Sequence, residues 1–480
     1  MAFILAEQGS AWKGRRTERW RARADDAAWV GGGSDSFRGM AQAQILTIGD
    51  ELLSGDTVNS NLAFLGERCR RLGVTVVRAL SVRDRVEEIV AALRDAAGWA
   101  DICLVSGGLG PTSDDRTAEA VAAACGVALV RNPEAEAAVE AMFARFRRPM
   151  PEINRKQADF PAGADVLFNP IGTAPGFAVQ LPQSAEHGRR CWVACMPGVP
   201  REMKRMMAEQ VEPRLGRDFV LPRVERRIYR AIGRGESAIA VDLEPIVAEA
   251  RRRSPGLANL YLHYRAATPQ VLIIAEGAEG AEGPDGARAT AEELASLDEG
   301  FVAALQPALY GFGEADLPAR VVGALCRSQK TVATAESCTG GRVGALFTEV
   351  AGASGCFLGG VIAYDNRIKI EALDVSEADL AAHGAVSEAV VRAMAEGARR
   401  RFGSDFAVAT TGIAGPSGGS AEKPVGTVDV AVADAEGCSY KRLSLHGERV
   451  FIQQVSAVWA LKLLWDRLVE RGLARVESQD

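Results

Sequence analysis

The chain has 480 residues, 62 acidic against 56 basic for a net charge of −6, and is 48% hydrophobic and 25% charged. That length suggests about three domains of roughly 150 residues, each apolar enough to build its own core. The acidic balance argues against nucleic-acid binding, no apolar run nears the roughly 18 residues of a membrane span, and nine scattered cysteines with only four histidines argue against disulfide or zinc frameworks.

Residues 1–39 lack periodicity and read as a disordered extension, with Met40 as an alternative start. No continuous apolar stretch follows Arg15-Arg16, so no export signal is expected and the expected location is the cytoplasm. From about Gln44 to Arg217, short apolar strands (Ile45 to Ile48, Val74 to Val77, Ile102 to Val105) alternate with helical spacing over 59–72, 86–97 and 117–125. Continuous apolar strands between helices predict a parallel sheet covered on both faces, here over 40–217. Residues 218–310 read as a small α+β unit with alternating strands near 226–232 and 261–274, a Gly/Ala/Glu-rich hinge over 276–288 and a long helix over 289–305. The last unit, 311–480, opens with a helix to Ser328, resumes α/β alternation and ends in a helix from about Ile452 to Arg471. The expected fold is therefore α/β in three domains.

Two loops in the last unit each follow a buried strand: Glu336-Ser337-Cys338-Thr339-Gly340-Gly341-Arg342 and Thr410-Thr411-Gly412-Ile413-Ala414-Gly415. Strand ends of this kind present backbone N–H groups and a nucleophile at one sheet edge. A serine there is most often a helix N-cap. Gly340 and Gly341, however, allow close ligand approach, and Arg342 suits a phosphate. As a nucleophile Ser337 needs a base. Lys369 serves if burial lowers its pKa, with Tyr364 as relay or orienting group, although spacing alone favours a solvated lysine and a core-edge tyrosine. Cys338 is a rival nucleophile.

In the first unit, Gly49-Asp50-Glu51 and Gly107-Gly108-Leu109-Gly110-Pro111-Thr112-Ser113-Asp114-Asp115 stand at strand ends. Glycine turns can cradle phosphate and carboxylates can hold a cation, while aspartates at a helix start are also ordinary caps. Two loop-like runs accompany them, from Asn169 through Thr173 to Gly176 and from Met196 to Met203.

The motif Ala335 to Gly341, the run Gly359 to Asn366 with Lys369, the Thr410 to Pro416 loop and Lys423-Pro424-Val425-Gly426-Thr427 closely resemble the C-terminal domain of the competence/damage-inducible CinA family. The resemblance implies a nicotinamide mononucleotide deamidase needing no cofactor, with Ser337 as nucleophile and Lys369 and Tyr364 as its partners. We assign Thr339, Gly340, Gly341, Arg342, Thr411 and Gly412 to its substrate contacts. The four N-terminal runs, with Asn154 to Gln157, resemble the same family's molybdopterin-binding-like domain, which is associated with ADP-ribose pyrophosphatase activity dependent on divalent metal. On that resemblance Asp50, Glu51, Asp114 and Asp115 are the expected ligands of Mg, Mn or Co. Gly107, Gly108, Thr112, Lys156, Asn169 and Thr173 are the expected substrate contacts. Gly233-Arg234-Gly235-Glu236-Ser237 matches the family's KH-like middle domain, but no GxxG loop follows to support RNA binding. The resemblance thus implies a pyridine-nucleotide salvage enzyme acting on small nucleotides, and a homodimer is expected on base rates. The alternatives are an N-terminal domain that binds or adenylates molybdopterin, and a non-catalytic nucleotide sensor in competence or DNA damage.

Overall fold

The computed structural model describes residues 41–182, 190–219, 221, 224–258, 260–277 and 289–476. The extension expected over 1–39 and most of the hinge expected over 276–288 lie outside the described residues. Two compact units form, Met1–Pro222 and Arg223–Asp480. Among the described residues, no helix is long and apolar enough to cross a membrane.

The first unit holds a six-stranded sheet built from β1 (Gln42–Ile48), β2 (Thr75–Val82) and β3 (Ile102–Ser106), then, beyond a separate two-stranded pair β4 (Leu129–Arg131) and β5 (Asp159–Pro161), from β6 (Asp165–Leu167), β7 (Gly176–Gln180) and β8 (Trp192–Met196). The order is β2-β1-β3-β8-β7-β6. The first four strands pair in parallel, as the continuous apolar runs predict, while β7 and β6 extend the sheet antiparallel. Residues of β3 alternate between two cores: Cys103 and Val105 pack on the Val86–Trp99 side, and Ile102 and Leu104 on the Ser60–Arg71 side.

In the second unit, β9 (Arg226–Ile232), β10 (Leu260–Ala267), β11 (Gln270–Gly277) and β12 (Leu309–Phe312) form an antiparallel sheet, ordered β10-β11-β9-β12. The helices Glu236–Arg253 and Asp298–Leu305 cover one face through Ile239, Leu243, Val247 and Phe301. The single helix expected over 289–305 is two, Ala291–Ala295 and Asp298–Leu305. A capping box of Thr290 and Glu293 starts the first, and the Ser296 hydroxyl turns back onto the Glu293 carbonyl at 2.6 Å. A serine that bonds its own backbone in this way competes with helix continuation.

The last sheet comprises β13 (Val332–Glu336), β14 (Phe357–Ile362), β15 (Phe406–Gly412), β16 (Thr427–Asp434) and β17 (Gly437–Ser444), ordered β14-β13-β15-β16-β17. The strands β14, β13 and β15 are parallel, so their C-terminal ends share one edge. Side chains sort by size across the sheet. Val332, Val408, Val428, Val430 and Val432 face a core with the Leu317–Arg327, Arg342–Thr348 and Arg449–Glu470 helices. Ala335, Ala407, Ala409, Ala431 and Ala433 face the Asn366–Leu373 and Glu388–Phe402 helices. Each buried valine contributes roughly 1.5–3 kcal/mol by transfer from water. The alanine face contributes less per residue but lets the helices lie close.

That closeness extends between the helices. A Cβ added at Gly397 would sit 1.9 Å from the Leu373 carbonyl oxygen, at the end of the helix that carries Lys369. Gly397→Ala is therefore expected to cost about 1–3 kcal/mol, read as a lower midpoint in urea unfolding with an unchanged slope.

Candidate active site

Parallel strands end together, and three of them deliver the C-terminal site. Ser337 follows β13, its N–H donating to the Thr410 carbonyl on β15 at 2.9 Å. Tyr364 lies two residues past β14, and Thr411 and Gly412 close β15. These residues line a cavity of about 190 Å³ with Cys338, Asn366, Lys369, Ala385, Val386, Ala414 and Arg449. The expected catalytic set Ser337, Tyr364 and Lys369 thus shares one cavity.

Lys369 sits in a helix whose N-cap is Asp365, the carboxylate accepting from the Arg367 N–H at 2.8 Å. Its side chain is 1% exposed, and Nζ donates to the carbonyls of Ala363 at 2.8 Å and Tyr364 at 3.2 Å. Burial is the main cause of a pKa below the ordinary lysine value, opposed by the Asp365 charge. The solvated lysine that spacing favours is not what the fold makes. Tyr364 is 60% exposed, and its hydroxyl accepts from the Arg449 guanidinium at 2.8 Å. Arg449 also donates to the Gly415 carbonyl at 2.6 Å, joining the second loop to the tyrosine. Sequence reading missed Arg449, which opens the last helix 85 positions from Tyr364 with no local motif around it.

The first glycine loop departs from expectation. The buried Glu336 carboxylate accepts from the N–H groups of Gly341, Val343 and Gly344 at 2.9, 3.0 and 2.8 Å and from the Thr339 hydroxyl at 2.7 Å. These are the amides a phosphate would use, so the loop does not offer them to one. Thr339 is wholly buried, its hydroxyl also meeting that of Thr410 at 2.7 Å, and Arg342 turns back to the Thr339 carbonyl at 3.2 Å. Thr339, Gly340, Gly341 and Arg342 lie outside the residues lining the cavity, whereas Thr411 and Gly412 belong to them. The Thr411 hydroxyl fastens the opposite wall through the Ala385 carbonyl at 2.9 Å. Gly412 answers to packing: a Cβ there would lie 2.8 Å from the Thr427 carbonyl oxygen and 2.9 Å from the Val428 Cα.

In the first unit, β1, β3 and β8 end around a cavity of about 80 Å³ lined by Glu51, Asn59, Asn61, Ser106 and Gly198 among others. This is the crevice beyond parallel strand ends where α/β sheets take ligands. The Asp50 N–H donates to Asp84 at 3.0 Å. Burial raises the Asp84 pKa, with the neighbouring charges of Asp50, Glu51 and Asp114 acting in the same direction. Asp84 is a second residue that sequence reading missed. Asp115 faces elsewhere, accepting from the Thr112 N–H at 2.9 Å and hydroxyl at 2.5 Å. It lines a smaller cleft of about 60 Å³ with Gly108, Gly110, Glu119 and Lys156. Lys156 itself donates to the Thr112 carbonyl. Among the described residues, no three His, Cys, Asp or Glu side chains gather to hold a metal ion. Of the four expected ligands, Glu51 lines the first cavity and Asp115 the second.

Two more expected contacts are internal fasteners. The Asn169 carboxamide accepts from the N–H groups of Ile171 and Gly172 at 3.2 and 2.9 Å and donates to the Ala174 carbonyl at 3.0 Å. Thr173 accepts from Gln157 at 3.4 Å. Gly107, at φ 116°, packs where a Cβ would lie 2.2 Å from the Ile48 carbonyl oxygen.

Residues 314–468 match the family model of the CinA C-terminal domain, and residues 44–217 that of a probable molybdopterin binding domain. A CinA-like protein of Anaeromyxobacter dehalogenans is 40% identical over 431 residues, covering 88% of this chain and 98% of that protein. One of Gemmatimonas aurantiaca is 40% identical over 442 residues, covering 91% and 97%. Among solved structures, the competence/damage inducible protein CihA of Agrobacterium tumefaciens is 39% identical, covering 31% of this chain and 91% of that one, with a TM-score of 0.31. The molybdopterin biosynthesis enzyme MoaB of Thermus thermophilus is 20% identical, covering 37% and 94%, with a TM-score of 0.25.

Cys338 is 4% exposed, and burial pushes its thiol up to about 12. It stays protonated at pH 8, where thiols react as thiolates. Iodoacetamide at that pH is expected to leave Cys338 unmodified in the folded protein, as read by peptide mass spectrometry.

Proposed function

The chain belongs to the CinA family, and from that premise we propose that its C-terminal domain hydrolyses the carboxamide of nicotinamide mononucleotide to the acid and ammonia. The observation that carries this reading is the buried amine of Lys369 in the same cavity as Ser337. A lysine whose pKa is lowered by desolvation is neutral in a larger fraction near physiological pH and can act as a base. In the proposed reaction, Ser337 Oγ attacks the carboxamide carbon while its proton passes to Lys369 Nζ. The tetrahedral intermediate then collapses, Lys369 returns the proton to the leaving nitrogen, and ammonia departs. Water, deprotonated by the same amine, cleaves the resulting ester and regenerates the serine. Arg449 supplies positive charge in the cavity wall for the substrate phosphate and fixes the Tyr364 hydroxyl.

For the first unit we propose cleavage of ADP-ribose to AMP and ribose 5-phosphate in the crevice beyond β1, β3 and β8. Glu51 lines that crevice with Asp50, Asp84 and Asp114 near it, and the charge of Lys156 for the pyrophosphate would come from the separate cleft that Asp115 shares. The molybdopterin-binding model matched over 44–217 favours a second reading, in which the same crevice binds molybdopterin. The family's divalent metal belongs to the first reading, and among the described residues no three of these carboxylates gather to hold it.

Ammonia release from nicotinamide mononucleotide is the first test, with Ser337→Ala and Lys369→Met each expected to lower kcat by roughly a thousandfold or more. The neutral amine is the active form, so kcat/KM should rise with pH through a pKa below 10.5, and Lys369→Arg should not restore it. Wild-type turnover that is absent, or that survives Lys369→Met, rejects the assignment. For the first unit, AMP release from ADP-ribose is measured with magnesium and again with EDTA. Asp84→Asn is expected to abolish it, and molybdopterin binding without AMP release decides for the second reading.

A further inference from the structure

We propose that Glu336 is the positioning residue of the Ser337 nucleophile, an inference that rests on the serine reading above. Ser337 is held on one side by the sheet, through its N–H on the Thr410 carbonyl. On the other side the chain must reverse through Cys338, Thr339, Gly340 and Gly341 into the Arg342–Thr348 helix, with Gly340 and Gly341 at positive φ. A helix start leaves amides without intrahelical partners, and they attract an anion. Glu336 supplies that anion from the residue immediately before the serine. One oxygen accepts from Gly341, Val343 and the Thr339 hydroxyl, and the other from Gly344. The carboxylate thereby fixes both ends of the turn in which Ser337 stands. Gln453 holds the same turn from outside, donating to the Cys338 carbonyl at 2.8 Å.

The position calls for a carboxylate in particular. All four partners donate, so a carboxamide would turn its NH2 toward at least one N–H. Either Gly344 or the group of three would lose its acceptor, and the buried donors left over would push the turn open. A displacement of about 1 Å at a nucleophile costs rate on the order of a hundredfold without weakening binding. Glu336 has no contact with the cavity among its lining residues and so acts through Ser337.

The test reads the serine directly, independent of the natural substrate. A fluorophosphonate probe phosphonylates an activated serine with loss of fluoride, and mass spectrometry locates the adduct. Wild type should be labelled at Ser337. Glu336→Gln should lower the maximal labelling rate by at least about tenfold while the half-saturating probe concentration stays within twofold. Labelling of folded Glu336→Gln at the wild-type rate overturns the proposal, as does a wild type that is not labelled at Ser337. If Glu336→Gln does not fold, Thr339 decides. Thr339→Val, which removes one donor to the carboxylate, should slow labelling, and Thr339→Ser, which keeps the hydroxyl, should restore it. Equal rates in those two variants overturn the proposal. Labelling as expected without ammonia release from nicotinamide mononucleotide rejects only the substrate assignment.

Discussion

A lysine amine removed from water is the constraint around which the C-terminal site is arranged. Taking an ammonium into a protein interior carries a large desolvation penalty, and carbonyl acceptors offset only part of it. Lys369 meets the carbonyls of Ala363 and Tyr364, both in the segment leaving β14. Its helix starts directly after that segment, and the far end of the helix rests on the Glu388–Phe402 helix through the glycine approach at Gly397. The depressed pKa has a cost in stability with a definite sign. Between the folded pKa and the ordinary lysine value the unfolded chain binds the extra proton, so stability falls as pH drops through that window and levels off below it.

Much of this architecture is legible in the sequence, because strands and their glycine endings are local signals. The apolar runs at 45–48, 102–105 and 406–409 all lie in observed strands, and the two C-terminal loops do meet at one edge. What is not legible is which donors remain free once the chain has folded. Glu336 reads as one polar letter before a serine, yet it occupies the amides that the glycine pattern reads as reserved for phosphate. Asn169 and Thr173 likewise sit in a loop of ligand-binding appearance, yet Asn169 bonds within the loop and to Glu202, and Thr173 to Gln157. Arg449 and Asp84 reach their sites only through sheet topology, which no spacing along the chain encodes. The burial of Lys369 belongs with them, since the Asn366–Leu373 helix is polar enough in sequence to face solvent, and tertiary packing decides otherwise.

The two candidate sites differ in physical character although both lie beyond parallel strand ends. The C-terminal cavity is backed by satisfied buried polar groups, Glu336, Thr339 and Thr410, which form a connected set of hydrogen bonds. Such networks are rigid because loosening one member leaves the others unpaired in a medium of low dielectric. Beside the N-terminal crevice, burial raises the pKa of Asp84 and the charges of Asp50, Glu51 and Asp114 raise it further. Repulsion of that kind is relieved by whatever positive charge arrives with a ligand, and this makes the crevice responsive where the C-terminal site is fixed.

The sorting of valines to one face of the last sheet and alanines to the other has a consequence for how the site can change. The alanine methyl groups set the spacing between the strand that delivers Ser337 and the helices that carry and brace Lys369. The separation of Ser337 and Lys369 therefore depends on the bulk of residues outside the cavity. Enlarging one of these alanines by two methyl groups would press first on the Glu388–Phe402 helix, on which the lysine helix rests, while leaving the cavity's own residues intact. The geometry of the cavity thus has a foundation beneath the site, in side chains whose chemistry is inert.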